Sequence, residues 1–389
     1  MNQTKIKIVH IITRLELGGA QQNTLYTAAH LDHQVFETAL ISGQGGFLDS
    51  ELPREHIKTY FVAQLKRSVN PWCDLIALFK IYRILRKIKP DIVHTHSSKA
   101  GILGRWASYF AGIPVIIHTY HGFGFNEHQS AVIRYAYVFI ERLTAYITTH
   151  IICVSHENVS YALSKKIGTK SMYTVIRSGI HIEEYTKKSI ETMPLREEFR
   201  LDAQDRLITM VACFKKQKNC TDFIRVAHDI VFKSTSTHVK FVLIGDGIER
   251  IKIENEIKKH NLQSYFMLPG WRRDINAVLK ISSIFVLTSL WEGLPRAIVE
   301  ALVSGIPVVA NGVDGVKEVV KNGINGYTCE PHNIIEMSNY IQKILADPQQ
   351  YAVMSKNASA SIKNEFDIHI MVNRQQDLYN SLLNNLKTS

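Results

Sequence analysis

Short apolar runs, each followed by a turn and then a helical stretch, recur along this chain and constrain its fold more than any other feature. The clearest is Ile284-Phe285-Val286-Leu287-Thr288, which runs into Ser289-Leu290-Trp291-Glu292-Gly293-Leu294-Pro295-Arg296-Ala297-Ile298-Val299-Glu300-Ala301-Leu302. An apolar run without polar alternation reads as a strand buried on both faces. Gly293 marks a sharp turn, and Pro295 is expected near the first helical position, where its missing N–H costs nothing. The cycle repeats in two series. The first begins with a strand at residues 6–12, a Gly loop, a helix at 21–31 and a strand at 38–42, and ends with strands at 151–155 and 173–176. The second restarts with a strand at 207–212, a helix from about 221, and strands at 240–244, 284–288 and 308–310. Strands alternating with helices predict an α/β chain with doubly wound parallel sheets. The polar stretch 177–194 separates the series, so the expected domains are 1–186 and 187–369, with residues 370–389 as a terminal helix.

In such sheets a helix N-terminus stands at the carboxyl end of a strand, where unpaired N–H groups and the helix dipole favour anions and where ligands bind. Glu292 lies on the turn and Glu300 inside the following helix, about two turns deeper at ~1.5 Å per residue. Two readings are open on spacing alone. Acidic residues suit the first turns of any helix, and Glu300 is then a solvated or salt-bridged side chain. Alternatively the two carboxylates flank a helix-bound phosphate and accept from hydroxyls on either side of it, as a nucleotide-sugar would require. Glu300 sits within Ala297-Ile298-Val299 and Ala301-Leu302-Val303, where an unpaired carboxylate is costly, and this favours a specific partner.

Composition limits the function classes. A hydrophobic content of 46% with 21% charged residues is that of a globular chain, and 389 residues suffice for more than one core. Cys73, Cys153, Cys213, Cys220 and Cys329 show no paired spacing, which argues for neither a zinc site nor a disulfide framework and fits a reducing cytoplasm. No secretory signal is read in the opening segment. No apolar run approaches the ~18 residues of a spanning helix. The nearest stretch, residues 131–155, is interrupted by Arg134, Glu141 and Arg142.

The segment around Glu292 and Glu300 resembles the carboxylate-pair motif of the retaining family 4 glycosyltransferases. Three further motifs follow that family in order: Gly18-Gly19-Ala20-Gln21 resembles its glycine loop, Asp91 to Gly101 (with His94-Thr95-His96) a second strand–loop–helix element, and His118-Thr119-Tyr120-His121-Gly122-Phe123 its His-Gly-Phe loop. The resemblance covers about residues 6–327. It implies the GT-B fold, two Rossmann-like doubly wound parallel-sheet domains facing a deep cleft, with an amino-terminal acceptor domain, a carboxy-terminal donor domain, and a terminal helix that returns to the amino-terminal domain. It implies a hexosyltransferase that moves sugar from a nucleoside-diphosphate sugar, UDP-linked by family frequency, with retention of configuration. The acceptor class implied is a lipid-linked or growing saccharide in capsule, O-antigen or exopolysaccharide synthesis.

The same resemblance supplies roles. His121 contacts the donor sugar, and its imidazole also titrates near neutral pH and is able to assist proton movement. Glu292 holds sugar hydroxyls, Glu300 the ribose, and Lys218 the diphosphate, with Gly19, Gly293, Leu294 and Pro295 completing the donor site. His94, His96 and His118 are expected to support the loop, with a metal cluster as the alternative reading. Gly18 and Gly19 have a plain turn-forming reading as well, and His121 a structural one. Cys213 stands where many relatives carry an arginine on the diphosphate, and Lys215, Lys216 and Arg296 are the candidates to compensate. No Asp-x-Asp occurs, so no metal ligand set and no cofactor are expected. Transition-state charge then falls to Lys218, backbone N–H groups and the helix N-terminus. A front-face route, in which the leaving phosphate takes the acceptor proton, fits better than a covalent nucleophile. The rival readings are a sugar-nucleotide epimerase or hydrolase of the same fold, and a non-catalytic partner subunit suggested by Cys213.

The net charge of +11 is concentrated in part between Arg54 and Arg105, including Lys80, Arg83, Arg86, Lys87 and Lys89 on one predicted helix. A solvated helix face and a surface for anionic headgroups are both open, while nucleic acid lacks any reading motif. With the resemblance, the expectation is a cytoplasmic protein peripheral at the inner membrane face.

Overall fold

The structure, a computed structural model, describes residues 5–388 apart from 54, 56, 188–190 and 234–237. Arg54 and part of the 177–194 connection therefore lie outside the described residues. The chain forms two compact units, one of residues 1–179 with 368–389 and one of residues 180–367.

The first unit holds β1 (Ile6–Arg14), β2 (Phe36–Gly43), β3 (Lys58–Phe61), β4 (Ile92–His96), β5 (Val115–Tyr120), β6 (His150–Cys153) and β7 (Tyr173–Val175), in the order β3-β2-β1-β4-β5-β6-β7 with every pair parallel. The strand order reverses between β1 and β4. β1 is apolar on both faces because both are covered. Val9 and Ile11 pack with Ala77, Ile81 and Leu85 of helix Pro71–Ile88. On the opposite face Ile8 meets Ile368, Met371, Val372 and Tyr379 of the terminal helix Ile368–Thr388. Each such aliphatic side chain contributes about 1.5–3 kcal/mol by burial.

The second unit holds β8 (Arg206–Val211), β9 (Val239–Ile244), β10 (Phe266–Gly270), β11 (Ser282–Leu287), β12 (Val308–Asn311) and β13 (Gly326–Cys329), ordered β10-β9-β8-β11-β12-β13 and again all parallel. Here the order reverses between β8 and β11. Both sheets are thus of the doubly wound type in which the crevice at the reversal accepts a ligand.

The unit boundaries differ from those expected at 186/187 and 369/370. Ile180 already belongs to the second unit, because its N–H donates to Phe366 O at 2.9 Å and it bridges Asp367 in parallel. Helix Ile182–Thr186 then packs against helix Arg296–Val303 within that unit. Pro295 also departs from its expected helical position. Its ψ of 110° is extended and it caps the helix, which begins at Arg296, so Glu300 lies only one turn inside.

Candidate functional site

In the second unit the loops that follow β8 and β11 are neighbours because their strands are neighbours. They are stitched together mainly through backbone groups. Leu290 N–H donates to Gln217 O at 2.8 Å, and the Gln217 side-chain amide donates to Trp291 O at 2.7 Å. Thr288 Oγ1 lies 3.1 and 2.9 Å from the carbonyls of Lys218 and Asn219, and Asn311 Nδ2 donates to Thr288 O at 2.9 Å. This stitching sets Lys218 Nζ against Glu292 Oε1 in an ion pair. Both side chains are largely buried. The Glu292 N–H in turn donates to Asp314 Oδ2 at 2.7 Å, so the turn is held from below as well.

Glu300 is buried one turn into helix Arg296–Val303. Burial raises its carboxyl pKa, and Arg296, 3.4 Å away, and a hydrogen bond from Tyr185 counter that rise. An ionised carboxylate with one cation and one hydroxyl donor retains acceptor capacity for further hydroxyls. Gly245 and Gly247, after β9, let the backbone lie against the loop that follows β8. Both have positive φ (129° and 155°), and a Cβ on either would meet the backbone of Ala212 or Phe214 within 2.5 Å. Cys213 is partly exposed on this loop and Lys216 is exposed.

In the first unit β1, β4 and β5 carry histidines, of which His96 ends β4 and His121 directly follows β5. His10, His94 and His96 share the face covered by the terminal helix, and His118 lies on the other face against Gly101, where a Cβ would come within 2.4 Å of His118 Cε1. His94 is fully engaged: its Nδ1 lies 2.6 Å from Tyr379 Oη and its Nε2 2.7 Å from Thr119 Oγ1. His10 Nδ1 lies 3.1 Å from His96 Nε2, and His96 Nδ1 lies 3.3 Å from His121 Nε2. A small recess is lined by His96, His121, Thr119, Asn23, Arg177 and Gln375 among others. Burial pushes the His121 pKa down to about 4 and that of His10 to about 3. His121 is therefore neutral at physiological pH, which corrects the expectation of a group titrating near neutrality: the imidazolium loses too much hydration in this site.

The chain's two halves match two family models, "Glycosyltransferase Family 4" over residues 17–184 and "Glycosyl transferases group 1" over residues 193–361. It is 34% identical over 97% of both chains to the UDP-Gal:α-D-GlcNAc-diphosphoundecaprenol α-1,3-galactosyltransferase of Escherichia coli. The chain is a family 4 glycosyltransferase. It is 23% identical to the capsular polysaccharide biosynthesis glycosyltransferase CapM of Staphylococcus aureus, over 83% of this chain and 85% of CapM. The crystal structure of HepE from Anabaena in complex with UDP and glucose shares its fold, with a TM-score of 0.83 at 21% identity over 97% of this chain and 100% of that one.

The glycosyltransferase thus has its family fold, and its candidate residues divide between the units. Lys218, Glu292, Gly293, Leu294, Pro295 and Glu300 cluster at the β8/β11 reversal of the second. Gly19 opens helix Gly19–His30 in the first, and that helix lines the recess beside His121 through Asn23, Thr24 and Thr27. Asp314, Tyr185, Gln217 and His10 escaped sequence reading. Asp314 carries the one usable signal, an Asp-Gly pair at Asp314-Gly315 a few residues after a strand. His10 has none, being one polar residue in an apolar strand.

Among the described residues one group of three chelating side chains stands close enough for a metal, His10, His94 and His96, with ring nitrogens within 4.8 Å of one another. The hydroxyl partners on both nitrogens of His94 and the direct His10–His96 contact compete with such a role. Arg105, counted with the basic segment, is buried and paired with Glu141 at 2.7 Å, so it adds nothing to the surface charge.

Proposed function

We propose that this glycosyltransferase moves a hexosyl unit from a UDP-sugar to a saccharide carried on a lipid diphosphate, with retention of anomeric configuration. The single observation that carries the donor half is the buried Lys218–Glu292 pair at the β8/β11 reversal, with Glu300, Arg296 and Tyr185 one helical turn away. In this proposal Lys218 exchanges Glu292 for the diphosphate when donor binds. The freed Glu292 carboxylate accepts from sugar hydroxyls while Glu300 accepts from the ribose. Arg296, fixed by Glu300, is the candidate that replaces the cation absent at Cys213. His121, held neutral, gives a hydrogen bond to the sugar without adding charge. Lys218 and the N-terminal N–H groups of helix Arg296–Val303 stabilise the leaving diphosphate, which needs no metal in this scheme. The leaving phosphate oxygen takes the acceptor proton on the face from which it departs.

The E. coli relative is named for UDP-galactose and a GlcNAc-diphosphoundecaprenol acceptor, so these are the first substrates to try. An acceptor embedded in lipid calls for contact with the bilayer. No helix among the described residues is long and apolar enough to cross one. Two neighbours of helix Ser98–Ala111 instead carry exposed apolar stripes at helical spacing. Helix Pro71–Ile88 shows Trp72, Leu75, Ile76 and Phe79, and helix Ala131–Ala145 shows Val132, Tyr135, Phe139 and Leu143. Exposed Lys80, Arg83, Arg86, Lys87 and Arg142 accompany them. Apolar stripes rimmed by cations suit the interface of an anionic bilayer. Purified protein incubated with UDP-galactose, UDP-glucose and UDP-N-acetylglucosamine and a short-chain GlcNAc-diphospholipid is expected to yield a disaccharide-lipid. UDP-sugar consumption without an acceptor would favour a hydrolase, and an unreactive protein that binds no donor would favour a subunit role.

A further inference from the structure

The contacts His10 Nδ1···His96 Nε2 (3.1 Å) and His96 Nδ1···His121 Nε2 (3.3 Å) string three buried imidazoles into a chain. The atoms at its two ends, His10 Nε2 and His121 Nδ1, are buried and have no hydrogen-bond partner. A neutral imidazole has one N–H and one lone pair, so each link fixes the next ring. If His10 carries its proton on Nδ1, then His96 accepts at Nε2 and must carry its own on Nδ1. His121 then accepts at Nε2 and presents Nδ1–H. The reverse polarity leaves a buried N–H at His10 Nε2 and a bare lone pair at His121 Nδ1. Orphaned N–H groups are rarer in protein interiors than orphaned acceptors. Either polarity leaves one N–H without a partner, and the two differ in where it stands: His10 is fully buried, whereas His121 lines the recess, so the first polarity places that N–H at the end which an entering ligand is able to meet.

We propose that His10 and His96 are positioning residues that hold His121 in its Nδ1–H tautomer, so that it reaches its ligand as a hydrogen-bond donor to a hydroxyl oxygen. This rests on the proposed contact between His121 and the donor sugar. The walls of the chain keep its rings in place. His94 packs on His96 with ring centroids 4.2 Å apart and ring planes tilted by 37°, and is itself clamped by Tyr379 and Thr119. Tyr379 belongs to the terminal helix, so that helix braces the chain. The chain carries no net charge and moves no proton to do this. Its effect is to remove the tautomer in which His121 is unable to donate.

The test reads tautomers directly and needs no substrate. In ¹⁵N-histidine-labelled protein at pH 7.5, the His121 signals, assigned by their loss in His121→Gln, are expected to report protonation at Nδ1. His10→Phe does not touch His121, yet it is expected to relax His96 and with it His121 toward a mixture containing Nε2–H. His96→Phe is expected to do the same more fully, and His96→Asn, whose amide nitrogen stands near the position of Nδ1, to restore the Nδ1–H form of His121. In the transfer assay both Phe variants are expected to lose about 5- to 10-fold in kcat, the worth of roughly one neutral hydrogen bond, and His96→Asn to recover most of it. A wild-type His121 protonated at Nε2, or an unchanged His121 tautomer in both Phe variants, would overturn the proposal. So would a stoichiometric metal ion found on the purified protein. Should His10→Phe fail to fold, the wild-type signal and the His96 pair still decide. A normal tautomer pattern with no transfer activity would refute the functional reading and leave the histidine chain standing.

Discussion

The first unit should be intolerant of mild acid. His10, His94, His96, His118 and His121 all have pKa values depressed chiefly by burial, His10 to about 3 and His121 to about 4. In the unfolded chain each returns to about 6.5. Below that pH the unfolded state binds protons that the folded state refuses, so stability falls as pH falls. At pH 5 each histidine costs about 2 kcal/mol, from ~1.4 kcal/mol per unit over one and a half units. Five such groups cost on the order of 10 kcal/mol, comparable to the whole ~5–15 kcal/mol stability of a domain. Glu300 acts in the opposite sense, since its raised carboxyl pKa favours the folded state as pH drops, but it is a single group in the other unit. In the second unit the depressed histidine is His228, which is only partly buried. Urea denaturation at pH 7.5, 6 and 5, followed by hydrogen exchange of β1 and β4 peptides against β8 and β11 peptides, checks this. The first unit should lose most of its stability by pH 5 and the second far less. Replacing His118 by Phe together with Gln at His10 should flatten the slope by about 2.7 kcal/mol per pH unit, less any loss from packing. Equal stability of the first unit at pH 7.5 and pH 5 would refute the assignment of five neutral buried imidazoles.

Other outcomes follow from particular contacts. Glu141→Ala strands the fully buried Arg105 and removes the acceptor of Tyr120 Oη, and should cost about 3–5 kcal/mol in urea denaturation. Lys218→Ala should abolish the thermal shift given by UDP-sugars and lower kcat/KM at least about 100-fold, as loss of one preorganised electrostatic contact does elsewhere. Glu300→Gln should raise KM for the UDP-sugar more than it lowers kcat, since the ribose contact proposed for Glu300 would be uniform between ground and transition states. Trp72→Ser with Phe79→Ser, Tyr135→Ser and Phe139→Ser should cut sedimentation with phosphatidylglycerol vesicles while leaving UDP binding intact. Unchanged sedimentation would remove these helices from the membrane contact.

Much of the fold was legible because strands buried on both faces leave continuous apolar runs, as at Ile8–Ile12 apart from His10, and at 284–287. Glu292 and Glu300 were legible together, as a pair on one turn and its helix, and Lys218 on a separate loop. The adjacency of Lys218 and Glu292 was not, since they are far apart in sequence and meet only through the β8–β11 pairing. The helix start was misplaced because proline suits both the capping and the first helical position, and only the backbone ψ distinguishes them. The unit boundary was misplaced because 180–186 is polar on its outer face while Tyr185 packs inward on Glu300. The neutral state of His121 depended on its burial beside His96 of β4, which no local pattern encodes. Nor does any local pattern show that Glu141, a charge interrupting an apolar stretch, points inward to Arg105.

The central claim is retaining transfer from a UDP-hexose to a lipid-diphosphate saccharide, and the anomeric configuration of the product tests it most directly. Purified protein should convert UDP-galactose, or another UDP-hexose, and a GlcNAc-diphospholipid into a product whose new linkage shows the small H1–H2 coupling of an α-anomer by proton NMR. A β-linked product, or no transfer from any UDP-hexose by protein that remains folded, would contradict it.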